Sequence, residues 1–187
     1  MVSGATVNIA RRAPVVPVTK WMRALPFATR LTLHGGPVPR AAAATVWGVP
    51  FSETACRALS QGPRATLWLG PEEYLLLDMS DESAPATAAA LEHVMGDIAH
   101  ALVDMSHRQI ALEISGPFAE RILNAACPLD LELSAFPIGM CTRTVLAKAE
   151  IILWRTRSDA FHLEVWRSFS GYVTCLLAEI AREYYPT

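Results

Sequence analysis

Three neighbouring residues in the run VDMSHRQ are of the types that a serine hydrolase uses. Asp104, Ser106 and His107 offer a carboxylate, a hydroxyl and an imidazole. A catalytic triad converges from separate elements, whereas neighbours on an extended chain project in opposite directions. The chain also carries no Gly-x-Ser-x-Gly turn of the kind that presents a nucleophilic serine. The pattern therefore favours a polar junction between two strands, closed by the serine.

Thiols are the second candidate nucleophiles. Cys127 and Cys141 could attack a substrate if a base lay close and lowered the thiol pKa, and His107 is the candidate base that only a structure can place. The four cysteines lie far apart and form no Cys-x-x-Cys pair, so the spacing indicates neither a disulfide framework nor a zinc site. We predict reduced, buried thiols.

The remaining chemistry-bearing residues follow strand patterns. Glu113, Glu150 and Glu164 fall on the polar side of predicted strands, where carboxylates are solvated or ion-paired. No glycine-rich phosphate loop is present. The sequence therefore predicts no catalytic, cofactor-binding or metal-ligating residue in this chain.

Arginine next to aromatic or sulfur-containing residues is the feature that remains. Tryptophan and arginine dominate the energetics of protein interfaces, although a core tryptophan beside a solvated arginine would give the same pattern. We predict a subunit interface at three such clusters, formed by His107, Arg108, Met140, Cys141, Arg143, Trp166 and Arg167.

Composition points the same way. Of the 187 residues, 52% are hydrophobic and 18% charged, and the net charge is -2, which gives no reason to expect nucleic acid as a partner. Lysine occurs only as Lys20 and Lys148, so the other cations are arginine, which reflects either codon bias or the arginine preference of interfaces. No uncharged run is long enough for a membrane helix, and we expect a soluble cytoplasmic subunit covered by partners.

The elements that must position these residues begin after a proline- and glycine-rich stretch. We predict an extended N-terminal arm over residues 1–28 and a single domain over 29–187. The predicted elements of the first half are strands at 30–33, 65–69, 74–78 and 101–105, a strand or irregular segment at 41–47, and a helix at 84–95 capped by Ser83.

The second half repeats this order. It has a strand at 108–114, a short helix around Phe118, Ile122 and Leu123, a hairpin of 144–155 with 161–166, and a helix from 168 to about 184. The apolar stripe of that last helix is formed by Phe169, Tyr172, Val173, Leu176, Leu177, Ile180 and Tyr184.

A strand–turn–strand–helix unit recurs at about 65–100 and 144–185. Neither unit could bury its helix alone, so we predict that two units share one mixed or antiparallel sheet in an α+β fold with pseudo-symmetry.

Several segments resemble the gamma subunit of heterotetrameric sarcosine oxidase. The resemblance extends from about Trp68 to the C-terminus and keeps the order of its segments, whereas the first sixty residues resemble no family. It is carried by VDMSHRQ at 103–109, ALEISGP at 111–117, CPLDL at 127–131, FPIGMCTRT at 136–144 and EVWRSF at 164–169.

The resemblance implies a fold similar to the folate-binding domain of aminomethyltransferases and a subunit without an active site of its own. It implies large flavin-bearing alpha and beta subunits and a small zinc-binding delta subunit as partners. These partners would hold FAD, FMN, NAD, tetrahydrofolate and zinc. The complex would demethylate sarcosine to glycine, pass the one-carbon unit to tetrahydrofolate or release formaldehyde, and form hydrogen peroxide.

One segment departs from the aminomethyltransferase pattern. In that family a glycine-rich segment leads to an aspartate pair, whereas here Gly35-Gly36 is followed by Pro37-Val38-Pro39. This departure disfavours folate binding by a stand-alone protein, which is one alternative function. The other alternative is the equivalent subunit of a related N-methyl amino acid dehydrogenase. We expect the loop 127–144 to be a stiff surface that Arg143 anchors to a large subunit.

Overall fold

The computed structural model describes residues 19–80 and 84–185. Most of the predicted N-terminal arm and the predicted cap Ser83 lie outside these residues. The part of the arm that is described contains a short strand, Met22–Ala24, which pairs with a strand of the second half.

Ten strands and four helices make up the described part of the chain. The strands are β1 (Met22–Ala24), β2 (Thr29–Gly35), β3 (Ala58–Gln61), β4 (Arg64–Gly70), β5 (Glu73–Asp78), β6 (His100–Asp104), β7 (Gln109–Ser115), β8 (Cys141–Leu146), β9 (Ala149–Arg157) and β10 (Ala160–Trp166). The helices are α1 (Pro37–Trp47), α2 (Ala84–Met95), α3 (Ala119–Asn124) and α4 (Ser170–Ala181), and a 3₁₀ turn, Arg167–Phe169, precedes α4.

The strands form two five-stranded sheets rather than the single shared sheet that the sequence predicted. Their orders are β3-β4-β5-β2-β6 and β1-β7-β10-β9-β8, and the strand pairs within both are antiparallel. One sheet packs its outer face on α1 and α2, and the other packs its outer face on α3 and α4. The two inner faces meet at a third apolar cluster. The fold is therefore α+β, as predicted, in four layers.

The two halves have the same internal order. Strand β2 is followed by α1, β3, β4, β5 and α2, just as β7 is followed by α3, β8, β9, β10 and α4. Strand β6 completes the first sheet beside β2, and the N-terminal strand β1 takes the corresponding place beside β7. The strand–turn–strand–helix units read from the sequence, β4-β5-α2 and β9-β10-α4, are parts of this larger repeat.

Helix α1 was wrongly predicted as a strand or irregular segment. Two features explain the error: prolines at its start, and the β-branched pair Thr45 and Val46, which favours strands. A proline in the first turn of a helix has no hydrogen bond to lose there. The helix ends at Gly48, whose φ of 78° lies in the left-handed region and whose N–H donates to the Ala44 carbonyl.

Two predictions in the second half also need correction. The segment predicted as one strand over 144–155 is two strands, β8 and β9, joined by a tight turn in which Ala147 has a φ of 50°. The predicted stripe of α4 is only partly buried, because Val173 and Leu177 are inside while Phe169 and Tyr172 are 40% and 39% exposed. None of the helices in the described residues is long and apolar enough to cross a bilayer.

Candidate functional site

The residues of the apparent hydrolase motif are used in the turn between β6 and β7. Asp104 Oδ1 accepts a hydrogen bond from the Ser106 backbone N–H at 2.8 Å. Ser106 is fully buried, and its Oγ accepts from the Arg30 backbone N–H at 2.9 Å. His107 points elsewhere, with its ring 5.4 Å from the ring of Phe27. Asp104 and Ser106 therefore stabilise a strand junction, and the three side chains do not converge as a triad.

The cysteines, all four of which are in the described residues, are free thiols. Cys127 and Cys141 are buried. The Cys141 thiol lies between the sheets, 3.5 Å from the Trp68 carbonyl, and burial raises its pKa to about 12. Since the thiolate is the nucleophilic form, Cys141 is inert at neutral pH.

The centre of the molecule holds a buried ion pair that joins the two sheets. Arg30 on β2 donates from Nε to Oε2 of Glu164 on β10 at 2.7 Å, and both side chains are almost completely buried. His162 Nε2 lies 2.8 Å from the other oxygen, Oε1. Burial raises the pKa of Glu164, but Arg30 and His162 outweigh it and lower this pKa to about 2. The Glu164 carboxylate is therefore charged and bound by Arg30 and His162.

A second buried arginine organises the loop between α3 and β8. Arg155 donates from Nη1 to the carbonyls of Leu131 and Phe136 at 2.9 and 2.8 Å. Its Nη2 reaches Glu120 Oε2 at 2.8 Å and the Ser158 carbonyl at 3.1 Å. Arg155 therefore holds the loop within the chain, a contact that sequence reasoning missed.

Arg143 has partners within the chain. It donates to both carboxylate oxygens of Glu73, Nη2 to Oε1 at 2.6 Å and Nη1 to Oε2 at 3.3 Å, so it ties β8 to β5 across the two sheets. Its Nε lies 3.5 Å from Glu150. The hydrogen bond from Arg143 lowers the pKa of Glu73.

We expect the substitution Arg143→Ala to lower the free energy of unfolding by about 0.5–1 kcal/mol, because an ion pair this exposed is largely screened by solvent. Urea denaturation followed by tryptophan fluorescence measures the loss. The matched change Glu73→Ala should lose a similar amount, and the double variant should lose less than the sum. A double variant whose loss equals the sum would show that the pair adds no stability.

The predicted interface residues separate into two groups. Cys141 is fully buried, Met140 packs against the core beneath α3 and α4, and Arg143 is occupied by Glu73. The other four lie together at the surface, because the backbone N–H of Arg167 donates to the Arg108 carbonyl at 2.8 Å and joins the two segments. These four are His107, Arg108, Trp166 and Arg167.

Exposed aromatic rings extend this second group. Phe27 contacts His107, the Arg108 guanidinium lies 4.6 Å from the centre of the Trp166 ring, and Phe169 contacts Tyr172. The list of predicted interface residues left out Phe27, which lies in the predicted arm, and Phe169 and Tyr172, which fit the apolar period of α4.

A metal-binding cluster and the glycine pair are the two remaining candidates for ligand binding. The described ranges contain no cluster of three or more His, Cys, Asp or Glu side chains that could hold a metal ion. Gly35 and Gly36 form the tight passage from β2 into α1, where a Cβ on Gly35 would come within 2.8 Å of Pro39 Cγ. This close packing explains the glycine at position 35.

Relatives of similar sequence include several proteins with the same name. A sarcosine oxidase subunit gamma from Corynebacterium sp. (strain P-1) is 31% identical over 170 residues, which cover 89% of this chain and 82% of the relative. One from Arthrobacter sp. is 30% identical over 146 residues, covering 76% and 70%.

Solved structures match along most of the chain. A chain of the heterotetrameric sarcosine oxidase from Corynebacterium sp. U-96, solved with pyrrole 2-carboxylate, superposes with a TM-score of 0.81 at 28% identity, covering 89% of this chain and 85% of that one. The glycine cleavage system aminomethyltransferase T from Bartonella henselae superposes with a TM-score of 0.63 at 13% identity, covering 86% and 46%, which shows a shared fold alone.

The family comparison covers more of the chain than the motifs did. The sarcosine oxidase gamma subunit family matches residues 37–183, so the likeness begins well before Trp68 and includes α1. With this match and the relatives above, the chain belongs to the sarcosine oxidase gamma subunit family.

Proposed function

We propose that this chain is the non-catalytic structural subunit of a heterotetrameric sarcosine oxidase. The observation that carries the proposal is the superposition on a chain of such an enzyme over most of both chains. The environment of three potentially reactive side chains supports a non-catalytic role. Ser106, Cys141 and Glu164 are buried and hydrogen-bonded to other groups of the same chain.

The partners and the reaction that we propose are those that the resemblance to the family implies. Two large subunits carry FAD, FMN, NAD and tetrahydrofolate, and a small subunit binds zinc. The complex oxidatively demethylates sarcosine to glycine, with the one-carbon unit passed to tetrahydrofolate or released as formaldehyde, and hydrogen peroxide formed. It works in the cytoplasm. This chain contributes a rigid surface to the assembly and no group to the reaction.

Affinity purification of the tagged chain from the cells that make it tests this proposal. We expect co-purification of two larger chains and one smaller chain in equal amounts, with a flavin absorbance near 450 nm and sarcosine-dependent peroxide formation. A colourless chain recovered alone would overturn the subunit role and would make tetrahydrofolate titration the next measurement. A flavin-bearing complex that oxidises only another N-methyl amino acid would keep the role and change the substrate.

A further inference from the structure

Exposed aromatic rings of this chain lie next to Arg108 or a few residues along the chain from it and from its neighbour Trp166. Within residues 19–80 and 84–185, the large aromatic side chains that are exposed are Phe27, Trp166, Phe169 and Tyr172, at 49%, 38%, 40% and 39%. Phe27 contacts His107 and Arg108 lies over Trp166, while Phe169 and Tyr172 contact each other at the start of α4, shortly after Trp166 in the chain. We call these six residues the aromatic–arginine surface. Exposed apolar side chains scattered singly are ordinary, but a cluster marks an interaction site.

Arg108 provides the charge of this surface. Its guanidinium carbon lies over the Trp166 ring, 4.6 Å from the ring centre, and its Nη1 lies 3.5 Å from Met105 Sδ. It makes no ion pair with any carboxylate in the part of the chain that is described, unlike Arg23, Arg30 and Arg143. The planar N–H donors of a guanidinium match the geometry of a carboxylate.

The exposed apolar side chains of the loop before β8 lack these features. Leu133 and Ile138, in the loop before β8, are 45% and 55% exposed, but no exposed aromatic ring accompanies them. The arginine nearest to this loop in sequence, Arg143, is already bound by Glu73. Arginine and tryptophan, which dominate interface energetics, are therefore exposed at Arg108 and Trp166, whereas the loop offers neither.

We infer that the aromatic–arginine surface is where this chain docks on a larger subunit of its complex, one that places an Asp or Glu carboxylate against Arg108 within an apolar surface covering the rings. The inference rests on the proposed function, because it takes the partner to be a subunit of the same oxidase. The occupant follows from charge complementarity: Arg108 is an exposed cation over an exposed aromatic ring, and no carboxylate of the described residues pairs with it.

Two substitutions with matched controls test the inference in the co-expressed complex. Arg108→Glu reverses the central charge, and Phe27→Ser removes a ring that is half exposed. The control Arg182→Glu makes the same charge change beyond the far end of α4, about 20 Å along the helix from Phe169, where its pair with Glu179 is exposed and contributes little. The control Val38→Ser changes a side chain that is 64% exposed on α1.

The dissociation constant of the complex is the quantity to measure, by dilution and separation of free from bound chain. We expect about thirtyfold weaker binding for Arg108→Glu, as for a central interface residue, and less than about threefold for either control. Unchanged binding of both Arg108→Glu and Phe27→Ser in an intact complex would overturn the inference while leaving the subunit role in place. A wild-type chain that binds no larger subunit would instead overturn the proposed function.

Photo-crosslinking gives a result that does not depend on weakened assembly. With p-benzoylphenylalanine at position 27 or 169, we expect a covalent product with a larger subunit, and with the same group at position 38 we expect none. Mass spectrometry of the product should place an Asp or Glu close to the linked site. A crosslink to a second copy of this chain, or no crosslink from an assembled complex, would contradict the proposed docking.

Discussion

The substitution Glu164→Gln is expected to lower the free energy of unfolding by about 3–5 kcal/mol, because it leaves Arg30 as a buried charge without its counter-ion. The ion pair joins the two sheets, and the Arg30 backbone is itself fixed by the buried Ser106. The loss should therefore affect the packing of one half of the molecule on the other. Urea denaturation at pH 7 measures it.

The pH dependence has a definite sign. The pKa of Glu164 is about 2 in the folded chain, below its ordinary value of about 4.5, so the unfolded chain takes up the proton first. The stability from this group is complete above about pH 4.5 and is lost as the pH falls towards 2. The wild-type chain should lose stability in this range more steeply than Glu164→Gln, which has no carboxylate to titrate.

Two further variants separate the ion pair from general effects. Glu150→Gln, at a carboxylate on β9 that is 58% exposed, should change the free energy of unfolding by less than about 0.5 kcal/mol. The double variant Arg30→Met with Glu164→Leu should recover most of the stability, because apolar residues of similar size often replace a buried pair without loss. If the double variant is less stable than Glu164→Gln, the pair is needed for more than charge balance.

This ion pair also explains why the sequence predicted one sheet and the structure has two. The alternation in β10 was read correctly, with Phe161, Leu163 and Val165 on one face and His162 and Glu164 on the other. A polar face on a strand is normally a solvated face. Here it is buried against the other sheet, and the partner of Glu164 lies 134 positions away on β2, too far for any local pattern to show.

The elements that the sequence predicted correctly are those whose patterns lie within short stretches of the chain. The hairpin of β4 and β5, helix α2 and the strands β6 and β7 have periods and turns that fix them over short stretches, and the structure confirms them. The surface at Arg108 and Trp166 was indicated by residue type alone. Phe169 and Tyr172 were assigned to the core, because the period of a helix identifies an apolar face without showing where the covering sheet ends.

Arg155 binds two carbonyls of the loop before β8, and we expect Arg155→Met to lower the free energy of unfolding by about 3–5 kcal/mol. The side chain of Arg155 is buried and binds the carbonyls of Leu131 and Phe136 together with Glu120. Each buried carbonyl left without a donor costs about 1–3 kcal/mol. Arg155→Lys should not restore this stability, because one ammonium group cannot replace the two nitrogens, Nη1 and Nη2, that bind separate sets of acceptors.

The neighbouring Arg157 provides the matched control. It lies two positions along the same strand, is 58% exposed, and is 3.8 and 3.7 Å from Glu113 and Asp159, so Arg157→Met should change the free energy of unfolding by less than about 1 kcal/mol. Limited proteolysis locates the damage: Arg155→Met should be cut first between residues 128 and 140, where the wild-type and Arg157→Met chains resist. Equal resistance in all three would mean that the loop keeps its conformation without Arg155 and that its stiffness comes from its prolines.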